Sequence, residues 1–352
     1  MDMHVPLEIV DQTATQAARV KDQLKRPLQE LRLSVIDRCN FRCTYCMPAD
    51  SLQGRGVFLP LVNLLTDREI ETLVRAFVAN GVSKLRITGG EPLVRPGLTA
   101  LLARLADIDG LEDIAMTTNG VLLPRHAPDL HAAGLGRITV SLDSLDQSVL
   151  SVMSGGKARL QEILDGIDSA EAAGFKNLKI NTVVQRGVND HTVFALLEHF
   201  RGSGHTVRLI EYMDVGNSNH WQLEQVVPSA EWVQRINEIW PIEAVDQHRP
   251  SETARRYRYA DGAGEIGLIS SISQPFCGGC TRARLTADGM FYTCLFGTEG
   301  QDMKPLLRQS PAETNLAELI NQAWSKRNDR YSEERSGLGA KREKVEMYRI
   351  GG

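Results

Sequence analysis

The sequence predicts an α/β fold: a parallel sheet of six β/α units forming an open, partial barrel, followed by a smaller C-terminal region. Two observations carry this. Short apolar runs alternate six times with segments of helical periodicity between residues 31 and 213, joined by short turns, which implies parallel strands with right-handed crossovers. After Pro228 the alternation gives way to one helix and short segments with hairpin turns. Six units are too few for a closed eight-stranded barrel, so the barrel is expected to be open. The chain then divides into an N-terminal extension (1–28), the partial barrel (29–228) and the C-terminal region (229–352).

Residues 1–28 lack a strong apolar period and read as an extension with one short helix over Gln12 to Leu24. Leu31 to Ile36 is a buried strand. Thr66-Asp67-Arg68-Glu69 is a capping box, and Ile70, Leu73, Val74 and Phe77 repeat at helical spacing until Gly81. Lys84 to Thr88 is a strand that ends in Gly89-Gly90-Glu91-Pro92. Then come a helix over Gly97 to Ala106, a strand at Asp113 to Thr117, a helix around Arg125 to Ala133 and a strand at Arg137 to Leu142. A helix at Leu160 to Ala173, a strand at Leu178 to Val184, a helix at Thr192 to Phe200 and a strand at Val207 to Tyr212 complete the series. Beyond it, Ser229 to Ile239 is a helix, and Asp261-Gly262 and Asp288-Gly289 are hairpin turns. A helix lies near Asn315 to Trp324, and the charged stretch Lys326 to Lys344 reads most simply as solvated.

With 352 residues, 42% of them hydrophobic, the chain can bury a sizeable core. A net charge of −4 argues against general nucleic-acid binding, so any anion site must be local. No apolar run of about 18 residues is present to span a membrane. The N-terminus lacks an apolar signal core, so secretion is not expected and a reducing, cytoplasmic compartment is. There the six cysteines, at 39, 43, 46, 277, 280 and 294, read as metal ligands rather than disulfides.

Cys39-x3-Cys43-x2-Cys46 directly follows the first strand, beyond the carboxyl end where parallel α/β sheets bind ligands. Three thiolates on one loop hold three irons of a four-iron cluster and leave the fourth open for chemistry. Structural zinc wants four ligands, and no fourth Cys or His is near in sequence. Cys277-x2-Cys280-x13-Cys294 is again one ligand short; a second four-iron cluster is favoured, with structural zinc as the alternative. The Asp288-Gly289 turn folds Cys294 back toward Cys280. Arg282 and Arg284 share one face of an extended strand, either as a solvated pair or as a paired positive surface for a polyphosphate. Two-residue hairpin register pairs Cys294 with Ala283, on the opposite face from both arginines, unless a bulge re-aims the chain or the strand begins later.

The stretch L-R-L-S-V-I-D-R-C-N-F-R-C-T-Y-C-M-P resembles the signature of radical S-adenosylmethionine (SAM) enzymes. With Arg32 ahead of it and Met47-Pro48 behind, it is similar to the branch that acts on GTP in molybdenum cofactor biosynthesis. The resemblance covers roughly Leu31 to Gly352 and implies two [4Fe-4S] clusters, one on Cys39, Cys43 and Cys46 and one on Cys277, Cys280 and Cys294. It implies that SAM chelates the open iron of the first and guanine meets that of the second. On the same resemblance Tyr45, Gly90, Ser141 and Met213 map to SAM contacts, the glycine letting backbone approach the SAM amino group. Arg32, Arg86, Thr117, Lys179, Arg282 and Arg284 map to GTP contacts, and Gly351-Gly352 to a tail that enters the active site. Cations inside strands are costly unless an anion partners them, which suits a polyphosphate in the lumen.

The implied reaction is a radical lyase step in which a deoxyadenosyl radical takes the ribose C3′ hydrogen and C3′ bonds to guanine C8. The implied partners are GTP, an electron donor such as flavodoxin or ferredoxin, and a downstream cyclic pyranopterin monophosphate synthase, with the chain a monomer or homodimer. Two rival readings are a radical SAM enzyme that modifies a peptide or another small molecule, and a zinc-stabilised binding module.

Overall fold

One pattern recurs in the strands: aliphatic residues at every second position with a charged or hydroxyl residue between, as in Glu30-Leu31-Arg32-Leu33-Ser34 and Lys84-Leu85-Arg86-Ile87-Thr88. Such a strand buries one face under helices and turns the other inward. The computed structural model describes residues 19–47, 58–247, 249, 251–308, 312–335 and 344–351. Its strands are β1 (Glu30–Ser34), β2 (Lys84–Thr88), β3 (Asp113–Thr118), β4 (Arg137–Ser141), β5 (Lys179–Val184), β6 (Thr206–Glu211), β7 (Ile242–Val245), β8 (Arg255–Tyr259), β9 (Glu265–Ile269), β10 (Arg282–Leu285), β11 (Met290–Tyr292) and β12 (Gln301–Asp302). The helices are α1 (Asp67–Ala79), α2 (Leu98–Ala106), α3 (Leu123–Ala132), α4 (Gln147–Met153), α5 (Leu160–Ala172), α6 (Val193–Phe200), α7 (Ser229–Ile239), α8 (Lys304–Leu307), α9 (Ala312–Ser325), α10 (Tyr331–Glu334) and α11 (Met347–Ile350). Among the described residues no helix is long and apolar enough to cross a membrane.

The strands form one sheet in the order β12-β11-β10-β1-β2-β3-β4-β5-β6-β9-β8-β7. β1 to β6 lie parallel in sequence order, as the alternation predicts. The parallel part extends beyond them. β10 joins β1 and β9 joins β6, both parallel, so the C-terminal region supplies the outer strands of an eight-stranded arc. Ile266 and Leu268 of β9 and Ala283 and Leu285 of β10 continue the buried apolar face of Leu31, Leu33, Val207 and Leu209. The boundary expected at 228/229 therefore crosses a continuous sheet. Eight flat strands would span about 34 Å. Side chains from β10, β1, β2, β3, β5, β6 and β9 nonetheless line one cavity, so the sheet is curled. β12 and β7 stand at the ends of the strand order, and the barrel is open.

The hairpin of β10 and β11 departs from two-residue register. Thr286 N donates to Met290 O (2.9 Å) and Met290 N to Thr286 Oγ1 (2.9 Å), leaving a three-residue loop closed by Gly289 at φ +88°. Arg284 pairs with Tyr292 and Leu285 with Phe291. Continued two residues further, this register sets Cys294 across from Arg282, not Ala283. The extra loop residue removes the conflict of faces, and Arg282, Arg284 and Cys294 line the same cavity.

The short helix expected over Gln12 to Leu24 does not form in its described part; residues 12–18 lie outside the described set. A β-bridge joins Lys21 to Pro27 around a tight turn, with Leu28 fully buried, because the Asp22 carboxylate captures Leu24 N and Arg26 N at 2.9 Å each. The stretch 326–344 is not simply solvated: Arg327 is buried, and Asp214 accepts from Tyr331 Oη at 2.8 Å and Arg335 Nε at 3.0 Å. Residues 336–343 of that stretch lie outside the described set. Helix α4, between β4 and α5, had no counterpart in the sequence reading, being too short to show a period.

The predicted capping box is present: Glu69 N donates to Thr66 Oγ1 (3.2 Å) and Thr66 N to Glu69 Oε2 (2.8 Å). Thr66→Ala should cost about 1 kcal/mol and lower the melting temperature by about 1 to 3 °C, read by calorimetry.

Candidate functional site

The concave side of the sheet encloses a cavity of about 200 Å³. Six arginines, at 32, 86, 208, 282, 284 and 327, line it against two carboxylates, Glu30 and Asp329. Arg32 Nε donates to Glu30 Oε1 at 3.2 Å, and Arg86 Nε stands 3.8 Å from the same oxygen. Burial opposes ionisation of Glu30, yet Arg32, Arg86 and Arg282 hold its carboxyl down at about 2. One carboxylate is not enough for its neighbours. Burial, and then the surrounding arginines, push Arg86 down to about 10 and Arg208 to about 9. A buried ion costs several kcal/mol even after relaxation, and a whole domain has only about 5 to 15 kcal/mol in hand. The unmatched charge is tolerable in a hydrated cavity and becomes favourable around a polyanion.

Five of the six residues expected on a polyanion line this cavity: Arg32, Arg86, Thr117, Arg282 and Arg284. Lys179 does not. It is the first residue of β5, where burial and the cations Arg208, Arg137 and Arg86 hold its amine down at about 8. Glu30, Asn181, Arg208 and Arg327 are additions that the sequence reading missed. Arg208, whose Nε donates to Asn181 Oδ1 at 2.9 Å, had a usable signal: it sits between Val207 and Leu209 as Arg32 and Arg86 sit between aliphatic neighbours.

Cys39, Cys43 and Cys46 occupy the loop after β1, each half-buried with a free thiol. A tight turn carries Cys46 N and Met47 N onto Cys43 O (3.0 and 2.8 Å). Helix α4 seats the loop, with Arg42 N on Ser154 O and Thr44 N on Met153 O. Burial pushes the Cys39 thiol up to about 11, and burial, then Asp143 and the other two thiols, push the Cys43 thiol well up from its usual range. Tyr45 Oη donates to Asp143 Oδ2 at 2.9 Å, and Val183 N donates to Asp143 Oδ1 at 2.9 Å.

On the other side of the loop, Gly90 N donates to Ile36 O and Glu91 N to Arg38 O, both at 2.8 Å. A side chain on Gly90 would collide with the Arg38 carbonyl. This contact gives the glycine a structural reason besides the expected approach to SAM: two backbones pack against each other there. Glu91 accepts from Thr118 Oγ1 (2.7 Å) and Asn119 N (2.8 Å), while burial raises its carboxyl to about 7. Ser141 closes β4, and Met213 follows β6 and lines the cavity.

The second triad opens onto the same cavity. Burial opposes ionisation of Cys280, but Arg282 and Arg327 draw its thiol down to about 6; burial pushes Cys294 up to about 11. The chain's end arrives from the other side. Arg284 Nη1 donates to Ile350 O (3.3 Å) and to Gly351 O, and Gly351, at φ +75°, packs so tightly on Thr88 and Ser34 that a side chain would collide with them. Gly352 lies outside the described residues.

Residues 33–200 match the Radical SAM superfamily and residues 205–333 match Molybdenum Cofactor Synthesis C. A GTP 3′,8-cyclase of Xanthomonas campestris pv. campestris (strain 8004) is 53% identical over 336 residues, 96% of this chain and 98% of that one. The chain belongs to the GTP 3′,8-cyclase family. Relatives with the same name from Acidothermus cellulolyticus (strain ATCC 43068 / DSM 8971 / 11B) and Staphylococcus aureus (strain Mu3 / ATCC 700698) are 49% and 44% identical. They match over 90% and 95% of this chain and 89% and 99% of their own. Streptococcus suis SuiB bound to S-adenosylmethionine shares the fold, with a TM-score of 0.56 at 15% identity over 83% of this chain and 68% of that one.

Membership makes this a radical SAM enzyme of molybdenum cofactor synthesis, a class that works with SAM and iron–sulfur clusters. The residues present fit that demand. Among the described residues no three Cys, His, Asp or Glu converge on one metal-ion position. A cluster asks for something else, since each thiolate holds a different iron, and two groups of three free thiols supply that donor set.

Gly90→Ala should push the cysteine loop off its seat, removing about four of about eight irons per reconstituted chain while the other four remain. Iron analysis with electron paramagnetic resonance checks this; a full iron complement would show that the Gly90 contact is dispensable.

Proposed function

We propose that the chain converts GTP to (8S)-3′,8-cyclo-7,8-dihydroguanosine 5′-triphosphate, with the triphosphate among the arginines and the guanine at the second cysteine triad. One observation carries the reading: a six-arginine cavity with two carboxylates opens onto Cys277, Cys280 and Cys294. Cys39, Cys43 and Cys46 would hold the cluster that binds SAM, with Tyr45, Gly90, Ser141 and Met213 around it; Cys277, Cys280 and Cys294 would hold the other. When bound, these groups supply the electron and the carbon radical that removes the C3′ hydrogen.

The chain's own part is placement. Arg32, Arg86 and Arg208 offer rigid, multiply donating guanidinium groups to phosphate oxygens, and the neighbouring Thr117 hydroxyl adds a donor. Lys179 adds charge behind them. Arg282 and Arg284 bring cations beside the second triad, and Arg284 also fastens the Gly351 tail over the cavity, which excludes water from the reacting carbon. The reading includes a cytoplasmic setting, a flavodoxin- or ferredoxin-type electron donor and a downstream cyclic pyranopterin monophosphate synthase. Anaerobic incubation with SAM, GTP and reductant, followed by mass analysis, tests it: deoxyadenosine and cyclised nucleotide should appear together, and deoxyadenosine without cyclised nucleotide would overturn it.

Arg284→Ala should weaken GTP binding by about 1.5 to 3 kcal/mol, the scale of a charge-assisted hydrogen bond. Calorimetric titration reads this, and unchanged affinity would leave the arginine only its tail contact.

Lys179 gives a pH signature. With no anion bound, burial and then Arg208 hold its amine down at about 8. A bound polyanion offsets those cations and raises the value. The lysine's contribution to affinity is then complete below about pH 8 and lost as pH climbs through the raised, bound-state value. Affinity for GTP should fall over that range in the parent chain and stay flatter in Lys179→Met. Identical profiles would remove Lys179 from the site.

A further inference from the structure

A second buried charge cluster lies against the cavity wall and shares only Arg327 with it: Asp22 and Arg26 are not among the cavity's lining residues. Asp22 accepts from Arg26 Nε at 2.5 Å and from Arg327 Nη1 at 3.2 Å, and all three side chains are at most 2% exposed. The rest of the Asp22 carboxylate is spent on the turn at Leu24 N and Arg26 N. Trp324 stacks under Arg327, 4.4 Å from guanidinium to ring, and its Nε1 donates to Arg26 O at 3.1 Å. The two guanidinium groups therefore have fixed positions, and the Nη1 of each reaches a cysteine loop.

Each cysteine of the second triad is reached. Arg26 Nη1 donates to Cys277 O and to Asp329 O, both at 2.8 Å. Arg327 Nη1 donates to Cys280 O at 2.9 Å. The Asp329 carboxylate then accepts from Thr293 Oγ1 at 2.6 Å, holding the residue next to Cys294. Segments around 22–26, 277–280, 293 and 327–329, far apart in the chain, meet in one buried bracket that ends on these carbonyls and that hydroxyl.

We propose that Asp22, Arg26 and Arg327 are positioning residues for the second cluster: a buried bracket that fixes the three cysteine-bearing segments so that their thiolates face the cavity. The inference rests on the reading that Cys277, Cys280 and Cys294 hold a cluster, and it gives the segment ahead of β1 a task. Lysine in place of Arg26 keeps the charge on Asp22 but has no planar fork to hold Asp22 and two carbonyls at once. Methionine keeps the stem and removes every donor.

The test uses the full chain with Cys39→Ala, Cys43→Ala and Cys46→Ala, in which all bound iron reports on the second triad, and the same chain carrying Arg26→Met or Arg26→Lys. Chelator-driven iron loss and the paramagnetic resonance spectrum of the reduced cluster, with and without GTP, are the readouts. Partners that orient metal ligands typically change metal retention by about ten- to a hundredfold. Arg26→Met should lose iron faster by that order and lose the GTP-induced change in spectrum; Arg26→Lys, which keeps the buried ion pair, should fall between it and the parent. In chains with all six cysteines, iron at the first triad should leave at the parent rate.

Parent-like iron loss and spectra in both variants would overturn the bracket while leaving the cluster reading intact. Equal acceleration at both triads would overturn it too, by showing general loosening. A parent chain that holds no iron at all would sink the cluster reading and the bracket with it.

Discussion

Arg32, Arg86, Arg208, Arg282 and Arg284 line the concave side of the sheet, with Glu30 as the carboxylate beside Arg32 and Arg86, and the architecture is arranged around that concentration of charge. Strands can carry it only because their other edge is fully apolar: Leu31, Leu33, Leu85, Ile87, Val207, Leu209, Ala283 and Leu285 are all buried. The curl of the sheet brings the inward edges together. Holding like charges so close together has a cost that a bound polyanion relieves and a neutral ligand does not. A peptide substrate, by contrast, has no general reason to present three or four negative charges at one point.

The two cysteine triads are built by opposite means. The first rests on backbone packed against backbone: the Gly89-Gly90 turn on one side and the end of α4 on the other, with Gly90 too close to the Arg38 carbonyl for any side chain. The second rests on charge, its carbonyls gripped by Arg26 and Arg327 and its thiols facing Arg282. Arg284 is where the halves meet, since its guanidinium lines the cavity and holds the Gly351 carbonyl at the same time. One side chain thereby links the cavity wall to the segment ending at Gly351.

Much of this was legible before any coordinates. The six strand and helix alternations follow from apolar periodicity, the capping box at Thr66 is a local hydrogen-bond pattern, and the cysteine spacings are fixed by the covalent chain. Arg208 is equally legible in kind, since Val207-Arg208-Leu209 repeats the pattern of Leu31-Arg32-Leu33. Helix α4 was not legible, because seven residues carry too little period to distinguish helix from loop. Nor was the bracket of Asp22, Arg26 and Arg327, whose members are 305 residues apart at the extremes and look like ordinary surface charges in sequence.

The sequence by itself determined the donor types and their local order: two sets of three thiols, the inward-facing cations of each strand, and the glycines where backbones must touch. These are consequences of covalent spacing and of the two-residue period of a strand, so no knowledge of distant contacts is needed. The tertiary structure decided which of those groups share one space. β9 and β10 joined the ends of the parallel arc, one extra loop residue set Tyr292 across from Arg284, and Lys179 is not among the residues of the cavity wall. Those outcomes depend on pairings between segments far apart in the chain. Long-range pairing is settled by burial of whole faces and by the balance of buried charge, quantities that no local stretch of sequence contains.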